Sequence, residues 1–215
     1  MIEASSAQTA ASVPSRFSPS AVFAHARSRL MVAPPCGWRD ARGRGRHGDP
    51  TPLRPAAVLV GLAAYTNEVR VLLTQRTVAL RDHSGQIAFP GGKIERGDKN
   101  PAAAALREAR EEIGLDQYHI ELLGYLDPHL TGTGFCVFPV VAKVATPLVL
   151  KLNSDEVEEA FEVPFAFLMD ATNHELHHKE FAGKLRRFHA IPYSTRNIWG
   201  VTAGILRNLY ERLYG

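Results

Sequence analysis

The stretch QIAFPGGKIERGDKNPAAAALREAREEIGL, residues 86–115, decides the fold because it combines a glycine turn, a capped helix and a group of carboxylates. Asn100 is a favoured N-cap, Pro101 suits the first helical position, where no backbone N–H is needed, and Gly114 supplies a stop. The alanine run at 102–105 has high helix propensity. We therefore predict one helix that begins at the proline and ends before the glycine.

This helix carries three carboxylates on one face. Glu108, Glu111 and Glu112 stand at i, i+3 and i+4, so they project together. Like charges at this spacing repel by about 0.2–0.5 kcal/mol per pair, and a hard divalent cation would offset that cost. The alternative is a solvated acidic face with Arg107 and Arg110 as partners. The opposite, packing face comprises Ala102, Leu106, Ala109 and Ile113.

A glycine turn precedes the helix. The residues Phe89-Pro90-Gly91-Gly92 follow an apolar stretch, and the glycines allow the backbone to come close to the acidic face. A glycine carbonyl at this position can complete a metal shell. Residues 107–115, REAREEIGL, match the helical part of the Nudix box throughout, so the segment resembles the signature of the Nudix hydrolases.

The loop before the helix departs from the general Nudix pattern. Counting back from Arg107, the usual acidic position falls on Lys99 and the usual leading glycine on Lys93. The loop therefore carries one extra residue, and Asp98 serves for the glutamate. A longer loop of this kind is similar to that of the coenzyme A pyrophosphatase branch of the family.

A second signature of that branch directly precedes the box. Residues 72–92 read LLTQRTVALRDHSGQIAFPGG and meet every fixed position of the branch pattern except at Thr77, where serine or alanine is more usual. The segment IWGVTA, residues 198–203, also resembles this branch. The resemblance covers residues 55–213, and its two main signatures stand in register.

The resemblance implies an α/β fold, namely a Nudix-type α/β/α sandwich with a mixed β-sheet. It also implies a Mg²⁺- or Mn²⁺-dependent diphosphatase that cuts coenzyme A or acyl-coenzyme A to 3′,5′-ADP and 4′-phosphopantetheine or its acyl form. Another nucleoside diphosphate derivative, such as ADP-ribose or NADH, is the alternative substrate. Outside enzymes, the alternative is a non-catalytic nucleotide-binding regulator, which would be expected to have a damaged acidic helix.

The resemblance also assigns roles at the metal site. Glu108 and Glu112 are the principal metal ligands, and Gly92 contributes through its carbonyl. Glu111 is either a third ligand or the base that prepares the attacking water, and the sequence does not separate these two roles. Arg107 lies four residues before Glu111 and is expected to orient it as an ion pair.

Other polar residues are candidates for substrate contacts. Arg76 and Arg81 lie in the branch signature and are expected to bind phosphate, since a guanidinium matches phosphate oxygens bidentately. His83 binds phosphate or satisfies a backbone carbonyl. Asp98 reaches the metal only if the lengthened loop folds back; otherwise it is a loop or capping residue.

Two further groups have alternative interpretations. A second set of carboxylates either approaches the site from a loop or belongs to a solvated helix, and comprises Asp155, Glu156, Glu158 and Glu159. The aromatic residues Phe89, Phe135 and Trp199 are expected in the core instead of stacking on adenine.

Composition indicates a single globular catalytic domain. Of 215 residues, 45% are hydrophobic and 22% are charged, and no apolar run approaches the roughly 18 residues that a membrane span needs. The N-terminus lacks the basic and apolar regions of a secretory signal. Cys36 and Cys136 are too few for a disulfide framework, although a pairing of the two stays open. We expect a cytoplasmic protein.

The charge balance argues against nucleic acid. The net charge is +3, and much of the basic excess lies in residues 37–48, where a solvated linker is favoured over a nucleic-acid arm. The expected partner is a small-molecule, coenzyme A-like nucleotide, with no nucleic acid and no membrane; a homodimer is plausible by analogy. Residues 1–54 are assigned as a partly flexible N-terminal extension and residues 55–215 as the Nudix hydrolase domain.

Periodicity predicts the order of the remaining elements. We expect a hairpin of strands at 56–65 and 69–74, with further strands at the ranges 120–126, 135–145, 161–164 and 184–191. Pro139 interrupts one of these strands, which suggests an edge or a bulge. Short helices are expected at the ranges 20–31 and 165–169, and an amphipathic helix at 201–213.

Overall fold

The computed structural model of the chain describes residues 15–38, 53–77, 85–181 and 184–215. The helices in these ranges are α1 (Pro19–Arg29), α2 (Pro101–Ile113), α3 (Phe165–Leu168) and α4 (Val201–Tyr214). The strands are β1 (Arg54–Ala64), β2 (Val69–Arg76), β3 (Ile87–Ala88), β4 (Gly91–Lys93), β5 (Ile120–Tyr125), β6 (His129–Leu130), β7 (Phe135–Ala145), β8 (Val157–Pro164), β9 (Glu175–Phe181), β10 (Lys184–Tyr193) and β11 (Arg196–Trp199). Strands β1–β8 form one mixed sheet, and β9–β11 form a second, antiparallel sheet.

The hairpin predicted from the sequence is confirmed. Strands β1 and β2 pair antiparallel from Gly61 and Leu72 to Ala64 and Val69. At the other end the two strands part, and the space between them holds two short strands: β4 pairs with β1, and β3 pairs with β2. Because β7 and β8 occupy the outer sides of β1 and β2, the glycine turn enters the middle of the sheet.

Strand β7 is central, so the edge predicted from Pro139 is wrong. It runs parallel to β1 on one side and antiparallel to β5 and β6 on the other. Pro139 falls between the last β5 pairing, opposite Val140, and the first β6 pairing, opposite Val137. Its carbonyl accepts a hydrogen bond from Leu126 N–H at 3.1 Å. The missing proline N–H faces this same gap, where the ladder of hydrogen bonds is already interrupted. A bulge is present nearby, but its extra residue belongs to β5, between Leu122 and Gly124.

Helices cover both faces of the main sheet, which confirms the predicted α/β/α sandwich with a mixed sheet. Alternate residues of β1 serve opposite layers, as the two-residue period of a strand requires. Ala57 and Leu59 pack with α2, whereas Val60 and Leu62 pack with α1, α3 and α4. The carboxylate-bearing helix α2 therefore has one face of the sheet largely to itself.

The predicted helix near residue 20 is confirmed as α1. It packs on the face of the main sheet that also carries α3 and α4. The Phe17 ring, just before α1, meets Phe165 edge-on at 6.2 Å and Tyr214 at 5.3 Å. Phe23, within α1, is also buried. Residues 15–30 thus share the core of the main sheet, although they lie in the segment assigned as an extension. The proposed boundary at residue 54 stays a prediction.

Two of the three aromatic residues expected in the core are there, and one is not. Phe89 is buried, and Phe135 is partly buried beneath the Arg54 guanidinium. Trp199 is 43% exposed, so its predicted burial is wrong. Its ring lies on the outer face of the second sheet, 5.8 Å from that of Phe188, while the neighbouring Ile198 points inward and is fully buried.

The described residues contain no helix that is both long and apolar enough to cross a membrane. Cys36 is exposed, Cys136 is buried, and both are free thiols.

The packing of the N-terminal segment can be tested by Phe17→Ala. Removing a buried ring that contacts two others should lower the free energy of unfolding by about 3–5 kcal/mol. Val32→Ala is the control, since Val32 is 89% exposed and its truncation should change stability by less than about 0.5 kcal/mol. Urea unfolding measures both variants. Equal, small effects would show that this segment does not contribute to the core.

Candidate active site

Helix α2 has the ends that the sequence predicts. Asn100 Oδ1 accepts a hydrogen bond from Ala103 N–H at 2.8 Å, and Pro101 occupies the first turn. Gly114 ends the helix in the left-handed conformation with φ of 66°, and its N–H bonds to the Arg110 carbonyl. A side chain at this glycine would be strained, so the stop is specific for glycine.

The three glutamates on α2 differ in burial. The exposed fraction of the side chain is 4% for Glu112, 16% for Glu108 and 56% for Glu111. The gradient arises because α2 lies against β1 and β4, so the acidic face is partly turned toward the sheet. Glu112 and Glu108 therefore meet the glycine turn, and Glu111 meets solvent.

The glycine turn fits closely against these carboxylates. Gly91 has φ of 156°, and its N–H donates to Glu112 Oε2 at 3.0 Å. A Cβ at this position would lie 2.4 Å from the Ala57 carbonyl oxygen. At Gly92, a Cβ would lie 2.5 Å from the carboxylate of Glu108. Gly91 is required because backbone atoms occupy the space that a side chain would need, whereas Gly92 leaves room for the Glu108 carboxylate.

Arg107 holds the acidic groups together. Its Nη1 donates to Glu108 Oε1 and to Glu111 Oε2, both at 3.0 Å. Its Nη2 donates to Asp98 Oδ2 at 3.1 Å and to the Lys93 carbonyl at 3.0 Å, and its Nε donates to Asp98 Oδ1 at 3.3 Å. The ion pair with Glu111 is present as predicted. Every nitrogen of the guanidinium has a protein partner, so Arg107 fixes the positions of the acidic groups around it.

The lengthened loop is fixed by Asp98. This residue is 7% exposed and accepts hydrogen bonds from Glu95 N–H at 2.8 Å and from Arg107. Burial alone would raise the pKa of Asp98, but these hydrogen bonds and the Arg107 charge outweigh it, so the pKa lies below its ordinary value. Asp98 thus anchors the loop. The lysine at position 99, where an acidic residue is usual, does not prevent this because Asp98 supplies the carboxylate.

The buried carboxylates are difficult to ionise. Burial raises the pKa of Glu112 to about 7, with the charges of Glu108 and Glu156 adding to the effect and the Gly91 N–H and Arg76 opposing it. Burial also raises the pKa of Glu108, against the influence of Arg107. A nearby cation would favour the ionised form of each group.

The negative charge of Glu156, a member of the second acidic set, contributes to the raised pKa of both Glu108 and Glu112. Residues 154–156 form a turn, and Glu158 and Glu159 belong to β8, so the solvated helix considered for this segment is wrong. Asn153 anchors the turn: its N–H donates to the Glu112 carbonyl at 2.9 Å and its Nδ2 donates to Glu156 Oε1 at 3.3 Å. The sequence identified this set as one that could approach the site from a loop, but it did not distinguish Glu156 from the other three carboxylates.

Arg76 lies at the same cluster. Its Nη1 is 3.8 Å from Glu112 Oε1, and its buried Nε has no hydrogen-bond partner. The guanidinium therefore has donor capacity left for an anion. Arg81 and His83, the other predicted substrate contacts, lie outside the described residues.

The donor set fits a hard divalent cation, although the side chains are paired with other groups. Within the described ranges, no three His, Cys, Asp or Glu side chains are arranged as a ready metal-binding group. Glu108 and Glu111 instead contact Arg107, and Glu112 contacts Gly91 N–H. The chemistry still matches, since clustered carboxylate oxygens beside a close-packed glycine backbone are ligands that Mg²⁺ and Mn²⁺ accept.

The anchoring role of Asp98 predicts a pH-dependent loss of stability. Asp98→Asn should lower the free energy of unfolding by about 1.5–3 kcal/mol at pH 7, the range for a hydrogen bond to a charged group. Because the folded-state pKa is depressed, this contribution is present above the unfolded pKa of about 3.9 and is lost as the pH falls further. Urea unfolding at pH 7 and pH 3 should therefore show a shrinking difference from the parent protein. A difference of the same size at both pH values would contradict the assignment.

Several known proteins are similar to this chain. The NUDIX domain profile matches residues 52–185. The uncharacterized Nudix hydrolase NudL of Escherichia coli (strain K12) is 38% identical over 156 residues, which cover 73% of this chain and 81% of that protein. NudL of Shigella flexneri is 37% identical over 161 residues, covering 75% and 83%. A crystal structure of a C. elegans Ap4A hydrolase binary complex aligns with a TM-score of 0.45 and 21% identity, over 51% of this chain and 80% of that one. The chain belongs to the Nudix hydrolase family.

Proposed function

We propose that the protein is a metal-dependent diphosphatase that hydrolyses coenzyme A or acyl-coenzyme A to 3′,5′-ADP and 4′-phosphopantetheine or its acyl form. Family membership supports the coarser statement, hydrolysis of a nucleoside diphosphate derivative. The observation that carries the finer statement is the pair of signatures in register, residues 72–92 and the helix at 107–115. A cytoplasmic location and a homodimer stay predictions.

Nudix hydrolases generally use divalent metal ions, and we assign the metal to the acidic face of α2. Glu108 and Glu112 would be the principal metal ligands. Glu111 and the carbonyl of Gly92 would complete the set of ligands that the protein supplies. When bound, Mg²⁺ or Mn²⁺ withdraws charge from the diphosphate oxygens and lowers the pKa of a bound water. The close packing of Glu108 and Glu112 against Gly91 and Gly92 supports this assignment, because it gathers carboxylate oxygens beside the glycine backbone.

The chain's own residues would bind the substrate and manage the proton. Arg76 presents donors beside Glu112 and is proposed to contact the diphosphate. Water attacks one phosphorus, the bridging P–O bond breaks, and the proton of the water passes to a carboxylate. Glu111 is proposed as this base or as a third ligand. Glu156 is proposed as a further candidate, because Asn153 bonds both to its side chain and to the Glu112 carbonyl. Arg107 would keep Glu108 and Glu111 oriented.

The substrate proposal has a direct test. Purified protein incubated with coenzyme A and Mg²⁺ or Mn²⁺ should release 3′,5′-ADP, detected by chromatography. Glu112→Gln is the matched inactive variant, since glutamine keeps an acceptor for Gly91 N–H but lacks the charge, and turnover should fall by about two orders of magnitude or more. Absence of 3′,5′-ADP with either metal would overturn the coenzyme A proposal.

The alternatives give different products in the same assay. Release of AMP from ADP-ribose or NADH, without cleavage of coenzyme A, would identify another nucleoside diphosphate derivative as substrate. Binding of nucleotide without hydrolysis of any member of the panel would identify a regulator.

Gly92→Ala should separate catalysis from folding. The added Cβ would displace the Glu108 carboxylate, which lies 2.5 Å away, but this carboxylate is the mobile end of a side chain. We therefore expect turnover to fall at least about 100-fold, with a thermal unfolding midpoint within about 3 °C of the parent. Gly97→Ala, in the loop that follows β4 and with no neighbour within 4 Å, should retain activity. Normal turnover by the Gly92 variant would remove Glu108 from the site.

Glu156→Gln tests the carboxylate that the sequence did not single out. Losing its charge near Glu108 and Glu112 should reduce turnover about 100- to 10,000-fold, the range for a residue that assists proton transfer. Glu158→Gln is the control, because Glu158 is exposed and lies two residues away. Similar rates for the two variants would show that Glu156 takes no part in the reaction.

A further inference from the structure

Arg196 connects the two sheets on the side of β2 that faces away from the carboxylates. Its Nη2 donates to Glu159 Oε1 at 2.8 Å, and its Nη1 donates to Gln75 Oε1 at 3.2 Å. The guanidinium also lies 4.0 Å above the ring of Phe161. One planar cation thus holds a residue of β2 and two residues of β8, an arrangement that suits arginine better than lysine.

The two residues that Arg196 bonds form the last regular pair of β2 and β8 before a bulge. Gln75 of β2 pairs with Glu159 of β8, but the next β2 residue, Arg76, pairs with Val157, so Glu158 is the extra residue. A bulge turns one strand relative to its partner, and a shift of one residue moves each side chain to the opposite face. The register at this pair therefore decides which side chains reach the carboxylate cluster.

The alternation of side chains along β2 directs Arg76 toward α2, and the bulge in β8 places Val157 beside it. Neighbouring residues of a strand point to opposite faces: Gln75 reaches Arg196, whereas Arg76 reaches Glu112 at 3.8 Å. Val157 lies beside Arg76 and is 2% exposed, in the core beneath α2. Pairing of Arg76 with Glu158 instead would move Val157 out of this core.

We infer that Arg196 is a positioning residue for substrate binding. It fixes the register of β2 against β8 and thereby holds the Arg76 guanidinium at the carboxylate cluster, without touching substrate. Glu156 does not depend on it to the same degree, because Asn153 anchors that residue separately. The inference rests on the proposed contact between Arg76 and the diphosphate.

The matched control is Arg207 on α4. It pairs with Glu211 at 2.7 Å, lies 5.3 Å from the centre of the Tyr210 ring, and has 31% of its side chain exposed, against 27% for Arg196. The two arginines thus have similar surroundings, but Arg207 contacts neither β2 nor β8 in these bonds. Arg207→Gln removes a comparable ion pair away from the bulge.

The experiment compares Arg196→Gln, Glu159→Gln, their double variant and Arg207→Gln. For coenzyme A, KM should rise about tenfold in the first two, as expected for weakened binding to phosphate, with kcat changed less than about twofold. The double variant should equal the single ones, since both remove one interaction. Arg196→Lys, which keeps the charge but not the planar fork, should fall between parent and glutamine variant.

Hydrogen exchange supplies a readout that needs no substrate. Thr77 N–H donates to the Glu156 carbonyl at 3.0 Å, directly beyond the bulge. Arg196→Gln should raise the exchange rate of this amide about tenfold, whereas Arg207→Gln should leave it unchanged. If coenzyme A proves not to be a substrate, this readout still decides the positioning role.

Two results would overturn the inference. Faster exchange confined to 184–199, with Thr77 exchange and KM as in the parent, would show that Arg196 only docks the second sheet. An equal rise of KM in the Arg196 and Arg207 variants would show a general loss of stability.

Discussion

Arg107 donates hydrogen bonds to Asp98, Glu108 and Glu111 at 3.0–3.3 Å and to the Lys93 carbonyl at 3.0 Å. Carboxylates brought this close together repel one another and lose hydration, and a fixed positive charge among them offsets both costs. The rest of the site depends on this contact, because it joins the lengthened loop, the glycine turn and α2 into one unit. An acidic helix can then lie against the sheet with Glu112 buried.

A steric constraint complements this electrostatic one. Strands β1 and β2 part to admit β3 and β4, and the turn between them brings Gly91 and Gly92 against α2. The backbone N–H of Gly91 satisfies one oxygen of Glu112, and the missing side chain at Gly92 leaves room for Glu108. The two glycines therefore allow the carboxylates of Glu108 and Glu112 to lie close together. The resulting compact group of oxygen atoms suits a hard cation.

The sequence predicted features whose causes are local. The ends of α2 follow from Asn100 and Gly114, and the hairpin of β1 and β2 follows from two apolar runs on either side of a polar turn. Predictions that depended on distant neighbours were less accurate. Pro139 is accommodated in a central strand because the pairings of β5 and β6 leave a gap beside it. Trp199 is exposed because its side chain lies on the outer face of the second sheet, opposite to the buried Ile198.

The same division applies to the active site. The sequence by itself determined the family, the acidic face of α2 and the Arg107–Glu111 pair, because helical spacing brings residues three or four apart together in any helix. Only the tertiary structure decided that Asp98 anchors the loop on Arg107, that Glu156 approaches from 44 positions away (156 − 112) and that Arg196 braces β2 beside Arg76. These contacts join separate strands and loops, and their distances are set by sheet register and by a bulge, which no local pattern of residues encodes.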